Sequence, residues 1–262
     1  MLAATSLESV DPPENVRLGP SRSSGLSIAS LAARMSFVWA GGIDNLYGDL
    51  VSVREVVEAD APSLFEMLTD PQVAEHMSPP PPSVGAFRGF VEWAHNQRSA
   101  GEGICFGIVP HGLDSAVGIV QLRAHEPSWH TADWGFAIGA AFWGIGAFVE
   151  AANLVARYAF DHIGVHRLEA RAVVKNGRGN GALQKIGARP EGTLAAAFTR
   201  RDHFDEQYLW GLNADDWRQR VLVRTPFTSA DAAGQIAAAI ENVEERLRAQ
   251  KVSSASGRPA LY

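Results

Sequence analysis

The stretch Asp133-Trp134-Gly135-Phe136-Ala137-Ile138-Gly139-Ala140-Ala141-Phe142-Trp143-Gly144-Ile145-Gly146-Ala147-Phe148-Val149-Glu150-Ala151 decides how the chain is read. Asp133 to Ile138 alternates as a strand does, Gly144 and Gly146 sit in a turn, and a helical period opens after them. Glycines let backbone approach a ligand, and the free N–H groups of a first helical turn attract an anion, a diphosphate above all. A tight strand-to-helix turn with no ligand explains the same residues, and both readings stand at this point. No Gly-Lys-Ser/Thr follows and the third glycine of a dinucleotide fingerprint is missing, so a Walker loop and a Rossmann turn are excluded.

Working outward, Phe148, Ala151, Ala152, Val155, Tyr158 and Ala159 form one face of a helix over 148–162, with Gly164 placed as its stop. Before the decisive stretch, Ile104–Val109 and Ala116–Arg123 read as a hairpin. A helix over 84–98 buries Phe87, Phe90, Val91 and Ala94, and the prolines 79–82 enforce an extended connector. A first strand falls at 50–56; Asp60-Ala61-Pro62 then opens a helix with Asp60 as its cap, and Asp70-Pro71 ends it and starts another turn. Downstream come a strand at 167–172, a short helix near 182–186 and strands at 192–199 and 207–212. Residues 213–228 read as a polar linker, and 229–250 as a helix with Ile236, Ile240, Val243 and Leu247 on one side. That helix either docks on its own domain or makes a homodimer.

Composition narrows the function. The chain has 262 residues, of which 46% are hydrophobic, enough for a core without metal or disulfide; a single cysteine, Cys105, permits no intramolecular bridge. A net charge of -6 argues against a broad nucleic-acid-binding face. No apolar run reaches the length of a membrane span, and residues 1–34 lack a signal-peptide pattern, so a cytoplasmic protein is expected. Met35 reads as an alternative start. His125, His130, His162, His166 and His203 show no metal-ligand spacing, and no metal is expected. Trp129, Trp134 and Trp143 line either the core or an acceptor cleft, and Cys105 reads as packing.

Taken together, Phe142-Trp143-Gly144-x-Gly146 with Glu150-Ala151, Tyr158-Ala159-Phe160, Gly164-Val165-His166-Arg167-Leu168-Glu169-Ala170-Arg171, Asn176 and Leu183-Gln184-Lys185-Ile186-Gly187-Ala188 resemble the GNAT acetyltransferase superfamily. The branch they resemble is that of the ribosomal-protein-alanine N-acetyltransferases, the RimJ/RimL type. Val53-Arg54-Glu55 with Asp60-Ala61, and Asp70-Pro71-x-Val73 before Met77, are similar to its opening, so the resemblance covers 49–217. It implies a mixed, mainly antiparallel sheet flanked by helices, with an extra C-terminal helix. With the resemblance over 49–217 as the transferase domain, the composition on either side reads as a loose extension over 1–48 and as linker, helix and tail over 218–262.

The resemblance also implies acetyl-coenzyme A as cosubstrate and an amine as acceptor. The turn Phe142, Trp143, Gly144, Ile145, Gly146, Ala147 and Phe148 would cradle the diphosphate, the strand edge Phe136, Ala137 and Ile138 would pair with the pantetheine arm between two splayed strands, and Asn176 would touch the coenzyme. Asp133 matches the strand carboxylate that serves as base; a solvated strand-end residue is the other reading. Ala141, Leu183 and Gly179 depart from common family residues, and no general acid is evident. A site so equipped suits an α-amine of pKa near ~8 better than a lysine near ~10.4. A small-molecule amine acceptor, or an acyl-coenzyme A sensor without turnover, are the alternatives.

Overall fold

The computed structural model describes residues 39, 42–200, 203–223 and 230–256. Two strands, β1 (Leu46–Tyr47) and β2 (Val51–Glu55), precede a helical layer of α1 (Ala61–Thr69), α2 (Pro71–Ala74) and α3 (Val84–Ala100). A meander of β3 (Gly103–Pro110), β4 (Gly118–Ala124) and β5 (Thr131–Ile138) leads to α4 (Ala147–Arg157). Then come β6 (Arg167–Val173), α5 (Gly177–Ile186), β7 (Arg189–Arg200), β8 (His203–Asn213), α6 (Ala214–Val223) and α7 (Ala230–Ser256). The strands form one sheet in the order β1-β2-β3-β4-β5-β6-β8-β7. Every junction is antiparallel except β5–β6, which is parallel and has α4 as its crossover.

Local chemistry explains the helix ends. Ser83 accepts from the Ala86 N–H to start α3, and Gly101, at φ +76°, closes it. The α3 face expected to be buried, Phe87, Phe90, Val91 and Ala94, is the one that packs. Asp70 caps α2 through the Gln72 N–H. A wider turn over Tyr158–Ile163 prolongs α4 until Gly164, at φ +88°. The helices cover both faces of the sheet: Ala94 of α3 and Cys105 line one hollow, whereas Phe106, one residue on, meets Tyr158 beyond α4 at 5.6 Å between ring centres.

Four expectations need correction. Asp60 precedes α1 but does not cap it. Its fully buried carboxylate instead takes two Arg54 N–H groups at 2.7 and 2.8 Å and the Val57 and Ala116 amides at 2.9 Å, tying β2 to the β3–β4 connection.

The packed body begins before residue 49. Trp39 is buried edge-on against Trp129 at 5.1 Å, Arg98 donates to its carbonyl, and Leu46–Tyr47 pairs with β2. A lone aromatic and a two-residue strand leave no periodicity to read. Residues 1–34 and Met35 lie outside the described residues.

Residues 214–223 form α6 rather than linker. Only Ala214 and Trp217 are buried among its described side chains, so no apolar stripe announces it; the Trp217 indole donates to Asn153 at 3.0 Å and fixes it on α4.

The last hairpin is also longer than expected. A register shift between Leu194 and Phe198, with Ala196 at φ +51°, breaks the alternation, and Arg200 reaches across to the Glu75 carbonyl. Finally, α7 uses its apolar side within the chain: Ala232, Ile236 and Val243 are buried, and the helix lies beside the turn Ala140–Phe142. Among the described residues no helix is long and apolar enough to cross a membrane.

Candidate active site

After β5 the chain makes one tight turn over Ala140–Phe142, then rises through Gly144 (φ +80°) and Gly146 (φ +90°) into α4. Both glycines adopt a backbone conformation that side chains disfavour. The Phe142 and Trp143 amides bond back to Gly139 and Ala140, but the amides of Gly144 through Val149 find no partner among the described residues. The first internal bond of α4 is that from the Glu150 amide to the Gly146 carbonyl at 3.0 Å. A run of unpaired N–H groups at a helix start is a site for an anion. Phe142 and Ala147 are buried and Phe148 packs on Phe136 at 4.2 Å between ring centres, so here the backbone, not these side chains, faces outward. Arg178, at the start of α5, places its guanidinium 4.4 Å from the centre of the Trp143 ring and brings positive charge to the turn.

The sheet opens next to this turn. Pairing between β5 and β6 is limited to Thr131–Asp133 with Arg167–Glu169, and beyond it the strands part. The amides of His125 and Gly139 bond to Thr131 and Val117, so odd-numbered residues of β5 turn their polar groups toward β4. Phe136 and Ile138, beyond the last paired residues, therefore direct their N–H groups into the gap. The Ile138 carbonyl is already taken by the Trp143 indole at 3.0 Å. A strand edge left open in this way accepts an extended amide-bearing chain as an added strand.

On the α3 face, beside the parting point, lies a hollow of about 100 Å³. Trp93, Ala94 and Gln97 of α3 form one wall; Cys105, Gln121, Arg123, Asp133, Gly135, Glu169 and Arg171 lie across four strands opposite. The pairing registers Cys105↔Gln121↔Gly135 and Arg123↔Asp133↔Glu169 put these residues on one face. Nothing lies within 4 Å of where a Gly135 Cβ would be, so its missing side chain leaves the hollow open.

Asp133 sits here with His125 Nε2 at 2.9 Å from Oδ1 and Arg123 Nη2 at 3.8 Å from Oδ2. Glu169 is held at 2.8 Å by Arg167, which also grips Glu191. That grip raises the Arg167 pKa, chiefly through Glu191, and lowers that of the Glu191 carboxyl. Burial pushes the Cys105 thiol well above its ordinary value, so it is neutral packing at the base of the hollow.

The sequence-derived residues thus fall into groups. The turn Phe142–Phe148 and the edge Phe136–Ile138 adjoin the gap, while Asp133 borders the hollow at its closed end. Asn176 caps α5, accepting from the Gly179 amide at 2.8 Å, so its side-chain oxygen already has a partner. Glu150, read as a motif residue, accepts from the Asp49, Leu50 and Val51 amides at 2.8 to 2.9 Å and clamps the N-terminal strands to α4. Histidines judged by linear spacing concealed one spatial neighbour: atoms of His125, Asp133 and Glu169 lie within 4.8 Å of one another. Alternation along β4, β5 and β6 could have placed these three on one face; strand register could not be read. Arg178 carried no sequence signal beyond its charge, and Arg171 was read only as part of the 164–171 motif.

A mainly antiparallel sheet, parted at its one parallel junction and facing the start of the crossover helix, defines the class: a thioester-dependent acyltransferase fold. The chain belongs to the GNAT acetyltransferases, matching the family described as "Acetyltransferase (GNAT) domain" over residues 51–189, more than half its length. Such enzymes transfer an acetyl group from acetyl-coenzyme A. Among similar proteins is the uncharacterized N-acetyltransferase p20 of Bacillus licheniformis, 22% identical over 171 residues, covering 65% of this chain and 96% of that one. The solved structure of ribosomal-protein-S5-alanine acetyltransferase from Vibrio fischeri superposes with a TM-score of 0.60 at 16% identity, covering 67% of this chain and 99% of that one. Mycobacterium smegmatis RimJ in complex with CoA-disulfide gives 0.59 at 20% identity, covering 75% and 94%.

Proposed function

We propose that this acetyltransferase modifies protein N-terminal α-amines by direct attack on acetyl-coenzyme A within a ternary complex. The observation that carries the reading is the meeting of two spaces at one point: the gap between β5 and β6 begins at Asp133 and Glu169, the same residues that border the hollow on the α3 face. The coenzyme supplies an activated acetyl thioester. The amides of Gly144 through Val149 bind its diphosphate, Arg178 adds charge, and Phe136 and Ile138 donate backbone N–H groups to the arm lying in the gap. Donors held rigidly in a strand stabilise charge on a carbonyl oxygen without reorganising, which is often the largest catalytic contribution. Asp133 accepts the proton of the attacking amine, directly or through one water. A thiolate leaving group of pKa near ~8.5 needs little help from an acid.

The acceptor follows from size and charge. A hollow of about 100 Å³ is smaller than the ~150 Å³ cavity that houses benzene, so it admits a chain end with a small first residue. Arg123 and Arg171 stand beside Asp133 and Glu169, a balance that does not suit a polycationic drug. The name of the Vibrio fischeri relative, an alanine acetyltransferase, points the same way. The test follows free thiol release with acetyl-coenzyme A and three acceptor sets: peptides with N-terminal alanine or serine, N-blocked lysine peptides, and small amines. Faster turnover of the first set is expected; preference for either of the others replaces the α-amine assignment.

A further inference from the structure

Two arginines border the hollow, and the carboxylates around it leave one of them unmatched. Glu169 is held at 2.8 Å by Arg167 of its own strand, whose guanidinium also binds Glu191 at 2.9 Å. Asp133 lies 3.8 Å from Arg123. Arg171 is exposed, lines the hollow, and has no hydrogen bond or ion pair among the described residues.

Register gives the reason. Asp133 pairs with Glu169 at the last joined level of β5 and β6, so the residue across the gap from Arg171 is Gly135, two further along. On its other side Arg171 pairs with Leu209 of β8. Neither neighbour carries a charge, and nothing lies within 4 Å of where a Gly135 Cβ would be. On the opposite wall Trp93 of α3 is 44% exposed, its ring held against that of Phe90 at 5.8 Å. The hollow is thus bordered by an unpaired guanidinium on the sheet and a fixed apolar ring on the helix.

We propose that Arg171 selects acceptors by pairing with a carboxylate at the second residue of the chain end, so that preferred substrates begin with a small residue followed by Glu or Asp; this rests on the α-amine reading above. An amine brought to Asp133 stands at the level of Glu169, and Arg171 lies two residues along β6, ~7 Å away at the rise of a strand. An extended acceptor covers that distance in about two residues, which brings its second side chain to the guanidinium. The planar fork of arginine matches a carboxylate with two parallel hydrogen bonds.

The experiment measures kcat/KM with acetyl-coenzyme A for peptides that begin Ala-Glu, Ala-Gln or Ala-Lys and are otherwise identical, in the wild type, Arg171→Gln and Arg171→Glu. The wild type should prefer the Glu peptide to the Gln peptide about fivefold, the upper range for an ion pair partly open to water, and should use the Lys peptide least. Added salt should narrow that preference by screening. In Arg171→Gln the Glu-to-Gln ratio should fall close to unity, and Arg171→Glu should reverse the order so that the Lys peptide leads. Comparing ratios between enzymes cancels the ionisation of each peptide's own amine and any loss of folded protein. A wild-type ratio of unity, or a Glu preference that persists in Arg171→Glu, overturns the role of Arg171. Acetylation of N-blocked lysine peptides in place of all three removes the α-amine reading, and this inference with it.

Discussion

Asp133 has two oxygens in two environments, one beside His125 and one loosely faced by Arg123 on the side of the hollow. A general base contributes ~100-fold or more, so Asp133→Asn should lower turnover by about that factor while leaving coenzyme affinity intact. The deficit should narrow as pH climbs past the amine pKa near ~8, because a neutral amine needs no base. Steady-state rates from pH 6.5 to 9 check both; an Asn variant as fast as the parent at pH 7 removes the assignment. Gly146 is the matching position for the proposed coenzyme site. Its φ of +90° disfavours any side chain, and a Cβ would stand 3.4 Å from Leu50 Cδ1 at the mouth of the unpaired amides. Gly146→Glu should therefore abolish acetyl-coenzyme A binding in calorimetry, by strain and by like charge. Unchanged affinity would place the diphosphate elsewhere.

At the scale of elements, legibility followed burial pattern. Helix α3 repeats Phe87, Phe90, Val91 and Ala94 at helical spacing and could be read directly, whereas α6 hides behind Ala214 and Trp217. The turn before α4 could be read from its glycines because positive φ leaves a mark on the sequence, and Gly144 and Gly146 both adopt it. The company of Asp133 could not be read, because His125 and Glu169 reach it through strand register, which no local pattern encodes. The docking of α7 was open from sequence, and the charge of Arg246 on it acts on an unusual carboxyl of α1. Glu66 Oε2 is out of solvent and has no hydrogen-bond partner among the described residues. Burial raises the Glu66 carboxyl pKa, opposed more weakly by Arg246 of α7. A carboxyl whose folded pKa is raised holds more protons folded than unfolded, so its ionisation costs stability as pH rises through that window. Glu66→Gln should accordingly raise the melting temperature at pH 7.5 relative to wild type, and the gap should shrink toward pH 4.5. Thermal melts at the two pH values decide; a gap that widens in acid contradicts the account.

For the whole molecule, the packed body extends beyond the region that family likeness covers. Trp39 lies twelve residues before the matched segment and yet is 1% exposed, with its ring edge-on to Trp129. Trp39→Ala should cost ~3–5 kcal/mol, as buried aromatic truncations do, and lower the melting temperature by about 10 °C. Deleting residues 1–34 should shift it by no more than a few degrees, since they show no pattern for burial. Calorimetric scans of the two variants check this. A deletion as damaging as the tryptophan change would mean that the earlier segment packs as well.

The sheet itself consists of two runs of antiparallel neighbours, β1 to β5 and β6 to β8, sewn together by a seam three residues deep at Thr131–Asp133. The seam joins residues 36 apart in sequence through the crossover of α4, a shorter reach than the 51 to 59 residues that separate partners across β2–β3. In the proposed mechanism the reacting end of the molecule lies where that seam stops. Catalytic competence is therefore assembled by the docking of two halves, neither of which holds the gap alone. A ligand lying in the gap touches both halves only when they are docked, and so favours the closed seam by mass action in proportion to its own affinity.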